Sequence, residues 1–558
     1  MYSKKNILCI SILFILLLLP TFFALFTAID IEASLFKKAA FLFFVILLLC
    51  IPATFLKART YFLVEGIGNF LFFPIDITSL YLNGQSTSKA FLENIYHTNV
   101  GEAVELLSMF WYLVVVVVLL WLLYFWLTFQ VKNERLIPSK WAKYILAMTA
   151  GSIVLIFIAM LVLLMRVHQE RSVKETLQDA WEHVESKFYK IYPYNLYIET
   201  FDILREQSTN RQLAKEVETF SFGIRPTTHK EPELYIFVIG ETARYDHLGI
   251  NGYERQTTPL MAQKDHIISY DSVYSQANLT SYSVPLLITR ANAAHPDIAY
   301  REKSVPEAFQ EAGYKAGWVT KQITNPFLNR IINACDYSHC YIKGMETADN
   351  YDIEMLDMLR AWNEDTAQFI VIHTLGNHFR YSLRYPQEYE VYQPALGEDF
   401  TYAMISESNK ELFVNAYDNA ILYTDYFLNE LINYVDSLDR VAAICYISDH
   451  GESLWDTEQK MSLHGSYQVS EYEYHVPMLI WYSDEYAARY PDKISTMEQN
   501  KTKLLSSSVV FHSLLDMADI RTAIDSTKSI CSDYLQEQDT IYVTTGSGSV
   551  MPWSFRVK

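Results

Sequence analysis

"RVAAICYISDHGESL", residues 440–454, decides the fold. Val441 to Ile447 form an unbroken, largely apolar run, and it ends at once in Ser448, Asp449, His450, Gly451 and Glu452. The run reads as a buried strand. Its polar end is the difficulty, because burying such groups unpaired costs several kcal/mol, roughly 2–7 for a neutral polar group and more for a charge. Either the stretch emerges at a surface turn, or something there compensates the charge.

Other segments repeat the pattern. From residue 231 onward, apolar strands ("ELYIFVIG", "GYKAGWVT", "AQFIVIHTL", "VPMLIWY") alternate with stretches of helical spacing. That alternation predicts an α/β domain over 231–558, a sheet sandwiched by helices. In open α/β sheets the ligand crevice lies beyond the carboxyl ends of the strands. The strand ends here deliver Glu241, His373 and His378, and Asp449 and His450, with His464 following in "MSLHG". A lone Asp-His pair is usually a surface turn; three strands delivering such groups to one edge reverse that reading. Glu241, Asp449 and His450 offer a cation such as Zn²⁺ three ligands and leave a position open. Thr280, in "YSQANLTSYSVPLLITR", stands where a helix begins, a place that favours a phosphate. By itself it would be a helix cap; beside a metal it becomes a nucleophile.

The first third of the chain is different, loaded with Leu, Ile, Val and Phe as far as residue 168. Residues 7–29, 39–56, 109–130 and 144–165 are apolar runs of membrane-spanning length. A fifth, 60–82, carries Glu65, Pro74 and Asp76 and reads alternatively as interfacial. Basic residues cluster at Lys4 and Lys5, at Lys57 and Arg59, and at Lys132, Arg135, Lys140 and Lys143. All three clusters face the cytoplasm only if 60–82 crosses. Five spans then make 1–168 a membrane domain and place everything after residue 166 outside the cytoplasm. Residues 169–230 are read as bridging or interfacial helices.

The formal net charge of −19 argues against nucleic acid as a partner. Of six cysteines, Cys335 and Cys340 in "ACDYSHC" could close a small loop; a disulfide is favoured over a short zinc site, which would lack a second ligand pair.

"GETARYDHLGINGYERQTTP", "NLTSYSVP", "GNHFRYSLRYP" and "SDHGESLWDTEQKMSLHG", in that order, resemble the phosphoethanolamine transferases of Gram-negative inner membranes, in the alkaline phosphatase and sulfatase superfamily. The resemblance implies that Thr280 is transiently phosphoethanolaminylated and binds zinc with Glu241, Asp449 and His450. It implies that His378 and His464 contact the donor phosphate or a further zinc. It also places the lipid headgroup against Asn94, Thr98 and Glu102, spaced i, i+4 and i+8 in "NIYHTNVGE". The implied donor is phosphatidylethanolamine, the acceptor lipid A phosphate or a core sugar of lipopolysaccharide, and the protein a monomer. Lys321 is expected to be solvated, His475 structural, and Arg244 and His247 to orient the ligands.

Rival readings differ in chemistry. A sulfatase needs a C/S-x-P-x-R pattern, whereas Ser283-Val284-Pro285 runs on into Leu286 and Leu287. A phosphoglycerol transferase would use phosphatidylglycerol and usually manganese. Phosphoethanolamine transfer to a periplasmic glucan shares the same motifs. A non-enzymatic scaffold would be expected to have lost ligands that are present here.

Overall fold

The structure is a computed structural model and describes residues 4–27, 35–83, 87, 92, 111–167, 177, 192–226, 232–322, 324–341, 350–397, 400, 404–466 and 468–554. Its backbone divides into two units, Met1–Glu206 and Gln207–Lys558.

Among the described residues the first unit holds five apolar helices: α1 (Lys4–Thr27), α2 (Leu35–Phe55), α3 (Ala58–Asn83), α4 (Trp111–Gln130) and α5 (Ser139–Val167). A more polar helix, α6 (Tyr194–Thr219), straddles the boundary. Four of them, α1, α2, α3 and α5, are long and apolar enough to cross a membrane, and α4 has a shorter apolar stretch, Val114–Gln130. Five consecutive valines open that stretch. In water such a run favours a strand, but in hydrocarbon a helix satisfies every backbone group internally. The doubtful segment 60–82 lies within α3, a continuous helix. Its Asp76 is buried and accepts hydrogen bonds from Thr87 N at 2.9 Å and Thr87 Oγ1 at 3.0 Å. The basic links after α2 and α4 meet. Lys57 pairs with Arg135, Ala58 N donates to Glu134 O at 2.8 Å, and Arg59 donates to Val131 O at 3.1 Å. Two of the three basic clusters thus share one end, as the charge bias requires. Asn94, Thr98, Glu102 and nearly all of 169–191 lie outside the described residues.

The second unit is built on a seven-stranded sheet. Its strands are β1 (Glu233–Gly240), β2 (Ile267–Tyr270), β3 (Lys315–Thr320), β4 (Tyr337–Cys340), β5 (Gln368–His373), β6 (Val441–Ser448) and β7 (Met478–Tyr482), in the spatial order β2-β7-β6-β1-β5-β3-β4. Strands β6, β1, β5, β3 and β4 run parallel, and β7 is antiparallel to both of its neighbours. Every residue of β1 and of β6 is buried. That is why neither shows alternation: helices cover both faces of a parallel sheet. Tyr235, Phe237 and Ile239 of β1 pack on one side with α7 (Thr280–Ile288), α8 (Val305–Glu311) and α10 (Val510–Met517). Leu234, Ile236 and Val238 pack on the other with α9 (Lys410–Asp436), through Phe427, Leu431 and Val435.

The edge strands β2 and β4 are short and half polar, and apolar runs do not reveal them. Strand β4 also corrects the disulfide expectation. Cys335 and Cys340 are both free, and Cys335 Sγ lies 3.4 Å from Ile331 O of its own helix. Cys340 ends the extended strand that follows. Residues 337–340 run extended and pair with β3 in the sheet, so they do not form the small loop that a bridge between the two would close.

Candidate active site

The carboxyl ends of β1 and β6 lie side by side, and each contributes directly. Glu241 follows β1, and Asp449 and His450 follow β6; all three are fully buried. Their ligand atoms lie within 4.8 Å of one another. Thr280 is the first residue of α7, with Leu279 at the cap position, so its hydroxyl is free of the cap role. Thr280 Oγ1 instead stands 3.2 Å from each Glu241 carboxylate oxygen and 3.3 Å from His450 Nε2. His450 Nε2 is 3.5 Å from both Glu241 Oε1 and Asp449 Oδ2. The structure therefore brings together all four residues that the sequence singled out as a metal set.

The surroundings hold these groups in place. Asp449 Oδ1 accepts from Thr242 N at 3.2 Å and His450 N at 2.7 Å, and Asp449 Oδ2 accepts from Ser283 Oγ at 3.1 Å. Glu241 accepts from Thr242 Oγ1 at 2.6 Å and from Gln322 Nε2 at 2.9 Å. His450 Nδ1 lies 2.9 Å from Gly451 O, which turns Nε2 toward Thr280. Thr242 adopts φ +61°, a left-handed conformation rare for a β-branched residue and costing about 1–3 kcal/mol. Its carbonyl accepts from the Tyr417 hydroxyl at 2.7 Å. Strain of this kind is sustained where the surroundings over-determine the backbone. Gly451 is required for space rather than for a left-handed turn: a Cβ there would stand 2.2 Å from Tyr472 O.

Burial, with Asp449 alongside, pushes the Glu241 carboxyl well above the usual carboxylate range. Among the described residues no lysine or arginine pairs with Glu241 or Asp449, and burial holds His450 below the usual imidazole range, so it supplies no counter-charge. Two buried carboxylates that close, with the His464 imidazole the neighbouring positive charge on Glu241, suit a divalent cation. Four donors held 2.0–2.1 Å from a tetrahedral zinc would be about 3.3 Å apart. Here the five distances that Thr280 and His450 make run from 3.2 to 3.5 Å. The donor set fits zinc.

Two more imidazoles border the group. The His464 ring is 4.3 Å from that of His450 and 6.2 Å from that of His378. His464 Nδ1 lies 3.3 Å from Glu452 Oε1, and the buried Tyr381 hydroxyl donates to Glu452 Oε2 at 2.9 Å. His378 Nδ1 contacts Phe379 O, and Arg384 Nε donates to His378 O at 2.9 Å. All three imidazoles thus have Nδ1 held by the protein. Their titration is pushed apart. Burial, helped by Arg384, holds His378 well below the usual imidazole range. In His464 the Glu452 carboxylate overcomes burial and moves the pKa to about 9.

Other expectations need correction. Lys321 is buried rather than solvated: its ammonium binds Glu354 Oε2 at 2.7 Å and Asn350 Oδ1 at 2.8 Å. Arg244 does not touch the ligands; its guanidinium binds Asp246 and Asp456. His247 is held by Asp418 Oδ1 at 2.6 Å. His373 at the end of β5 stays apart with both ring nitrogens unpartnered, and burial lowers its pKa to about 4. His475 is structural as expected, its ring stacked between Tyr245 and Tyr274. Sequence reasoning missed Thr242, Ser283, Gln322 and Tyr381. Ser283 was within reach, three residues beyond Thr280 on one helix face.

A family model described as Sulfatase matches residues 233–520, just over half of the chain. Among curated proteins, Kdo(2)-lipid A phosphoethanolamine 7''-transferase of Salmonella typhimurium strain LT2 is 30% identical over 294 residues, 51% of this chain and 50% of that protein. The chain thus spans about half the length of this relative. In fold, the whole chain resembles the integral membrane protein lipooligosaccharide phosphoethanolamine transferase A of Neisseria meningitidis. That likeness has a TM-score of 0.66 at 19% identity and covers 92% of this chain and 97% of the other. The second unit resembles the C-terminal periplasmic domain of EptC from Escherichia coli, solved in complex with zinc, with a TM-score of 0.53 at 23% identity over 59% of this chain and 94% of that one.

Proposed function

We propose that this chain, which belongs to the sulfatase family, transfers phosphoethanolamine from phosphatidylethanolamine to a lipopolysaccharide-type acceptor, by way of a phospho-threonine at Thr280. The observation that carries this reading is the Thr280 hydroxyl itself, 3.2 Å from both Glu241 oxygens and 3.3 Å from His450 Nε2. The curated relative named for phosphoethanolamine transfer to lipid A supports the transferred group and the acceptor. The arginine that a sulfatase pattern needs is missing after Pro285, so membership of the family does not carry sulfatase chemistry with it.

Glu241, Thr280, Asp449 and His450 would hold a zinc ion, which would lower the pKa of the bound hydroxyl and offset charge on phosphate oxygens. In the first step Thr280 Oγ1 bonds to phosphorus and gives up its proton. The bond from phosphorus to the diacylglycerol oxygen breaks, and that oxygen takes a proton as diacylglycerol leaves. In the second step an acceptor oxygen bonds to phosphorus, the Oγ1–P bond breaks, and the threonine hydroxyl is restored. His378 and His464 stand where the transferring phosphate would lie, with Nε2 of each available to it. Asn94, Thr98 and Glu102 would receive the ethanolamine ammonium. Five crossings, α1 to α5, would anchor the enzyme in the inner membrane with the second unit in the periplasm, beside both lipid substrates.

The test supplies the purified full-length protein with phosphatidylethanolamine labelled in its headgroup, then weighs lipopolysaccharide from expressing cells. Label on the protein and a phosphoethanolamine mass increment on lipid A or core are expected. Label accepted only from phosphatidylglycerol, or an increment confined to periplasmic glucan, would overturn the assignment. Tyr381→Phe removes one hydroxyl from the buried partner of Glu452. It is expected to lower kcat about tenfold, as loss of such supporting hydrogen bonds commonly does, with KM for the donor unchanged; unaltered kcat in steady-state assays would refute that role.

A further inference from the structure

The family match ends at residue 520, and the chain then adds an antiparallel hairpin, β8 (Thr540–Thr544) with β9 (Val550–Ser554). The end of β8 and the residues after it run against the site. Thr544 N donates to Gln276 O at 2.7 Å, and Thr544 forms a parallel bridge with Ala277. Residues 276–278 lead directly into Leu279 and Thr280. Gly546 N donates to Ser466 O at 2.9 Å, and Asn278 Nδ2 donates to the same carbonyl at 2.9 Å. The segment Thr544–Gly546 therefore ties the chain entering α7 to the loop that carries His464.

That loop does not hold its shape by local preference. Leu463 and Gly465, on either side of His464, have φ of +64° and +79°, and a left-handed leucine is disfavoured by about 1–2 kcal/mol. Space around the loop is closed. A Cβ on Gly465 would stand 2.9 Å from Leu279 Cδ2, and a Cβ on Gly546 would stand 1.7 Å from Gly465 O. Gly546 is not among the residues with positive φ, so space rather than backbone conformation excludes a side chain there. Any residue but glycine at 546 must push the 465–466 backbone and so shift His464 relative to His450.

We infer that the carboxyl-terminal hairpin is a positioning element of the site and Gly546 a positioning residue, setting His464 relative to Thr280 through the backbone of residues 465–466. The kinetic part of its test rests on the transfer reaction proposed above; the chemical part does not. Gly546→Ala, His464→Ala and the double variant are made in the full-length protein. Gly546→Ala is expected to lower kcat by about 10- to 100-fold, the cost of a displacement near 1 Å, with little change in KM for the donor. In the His464→Ala background the same change is expected to cost less than about twofold, since the two act through one group. Full additivity would overturn the inference.

Independently of activity, diethyl pyrocarbonate modification is followed residue by residue by mass spectrometry. His464 is expected to react several-fold faster in Gly546→Ala, while His475 between its two tyrosines is unaffected. Equal His464 rates in both proteins would overturn the inference whatever the transfer assay shows. A wild type unable to transfer headgroup would instead overturn the functional reading and leave the labelling comparison standing. Should Gly546→Ala fail to fold, Asn278→Ala removes one of the two bonds to the Ser466 carbonyl, together with that to Glu473 Oε2 at 2.6 Å, without adding an atom, and carries the same comparison. Tyr542→Ser, on the half-exposed outer face of the hairpin, is the control and is expected to change neither readout.

Discussion

Thr280→Ala is expected to lower the rate of headgroup transfer by at least about 10³-fold, the loss typical when the nucleophile of a covalent mechanism is removed. The reason is local. Thr280 Oγ1 makes its contacts with Glu241 and His450 and none with a helix N–H, so the hydroxyl has no capping role for alanine to disturb. Helix α7 should form in the variant, since six of its nine residues, Ser283 to Ile288, are buried. The fold therefore survives while the attacking atom is gone. Thr280→Ser keeps that atom but releases χ1, which branching at Cβ restricts; a loss of about tenfold is expected, intermediate between wild type and alanine. Intact-mass measurement after a single turnover with labelled phosphatidylethanolamine separates these outcomes. The label should be trapped on wild type and on serine, and absent from alanine. A Thr280→Ala protein within tenfold of wild type would mean that some other group attacks phosphorus.

The parts of this site that were legible in the sequence were those where a buried strand ends. An apolar run with no alternation can end in Asp449 and His450, or in Glu241, only if the sheet edge supplies compensation, and the contrast shows in one dimension. What lay between elements was not legible. Gln322 reaches Glu241 because β3 and β1 flank β5 in the sheet, a neighbourhood that no local pattern states. Lys321, one residue earlier, is buried against Glu354 although a lysine read alone is a solvated group. The cysteine pair was misjudged for a related reason. Spacing of five suggested a loop, while the sheet drew Tyr337–Cys340 into an extended edge strand. Tyr381 carries no sequence signal of its own; its meaning comes from Glu452, which stays buried behind the site rather than joining the ligands.

Metal removal and Asp449→Asn are expected to change stability in opposite directions. In the wild type, zinc would join two buried carboxylates with which no lysine or arginine pairs among the described residues. At a free zinc concentration a hundredfold above its Kd, binding should stabilise the folded protein by about 2.7 kcal/mol, read as a rise in the thermal midpoint over the chelated protein. Asp449→Asn is nearly the same shape, and the geometry can accept it. The amide oxygen can keep the bonds from Thr242 N and His450 N, and its NH₂ would face Ser283 Oγ and His450 Nε2, both able to accept. The variant has lost one of two like charges in a buried site, where such repulsion is poorly screened. Without metal it should therefore melt above the chelated wild type. With zinc the order should reverse, because a neutral amide is a poor zinc ligand, and the stabilisation by zinc should fall below about 1 kcal/mol. Scanning calorimetry of both proteins with and without chelator decides it. A chelated variant that melts below the chelated wild type would show that Asp449 acts in the fold and not through charge. An undiminished response to zinc would remove Asp449 from the ligand set.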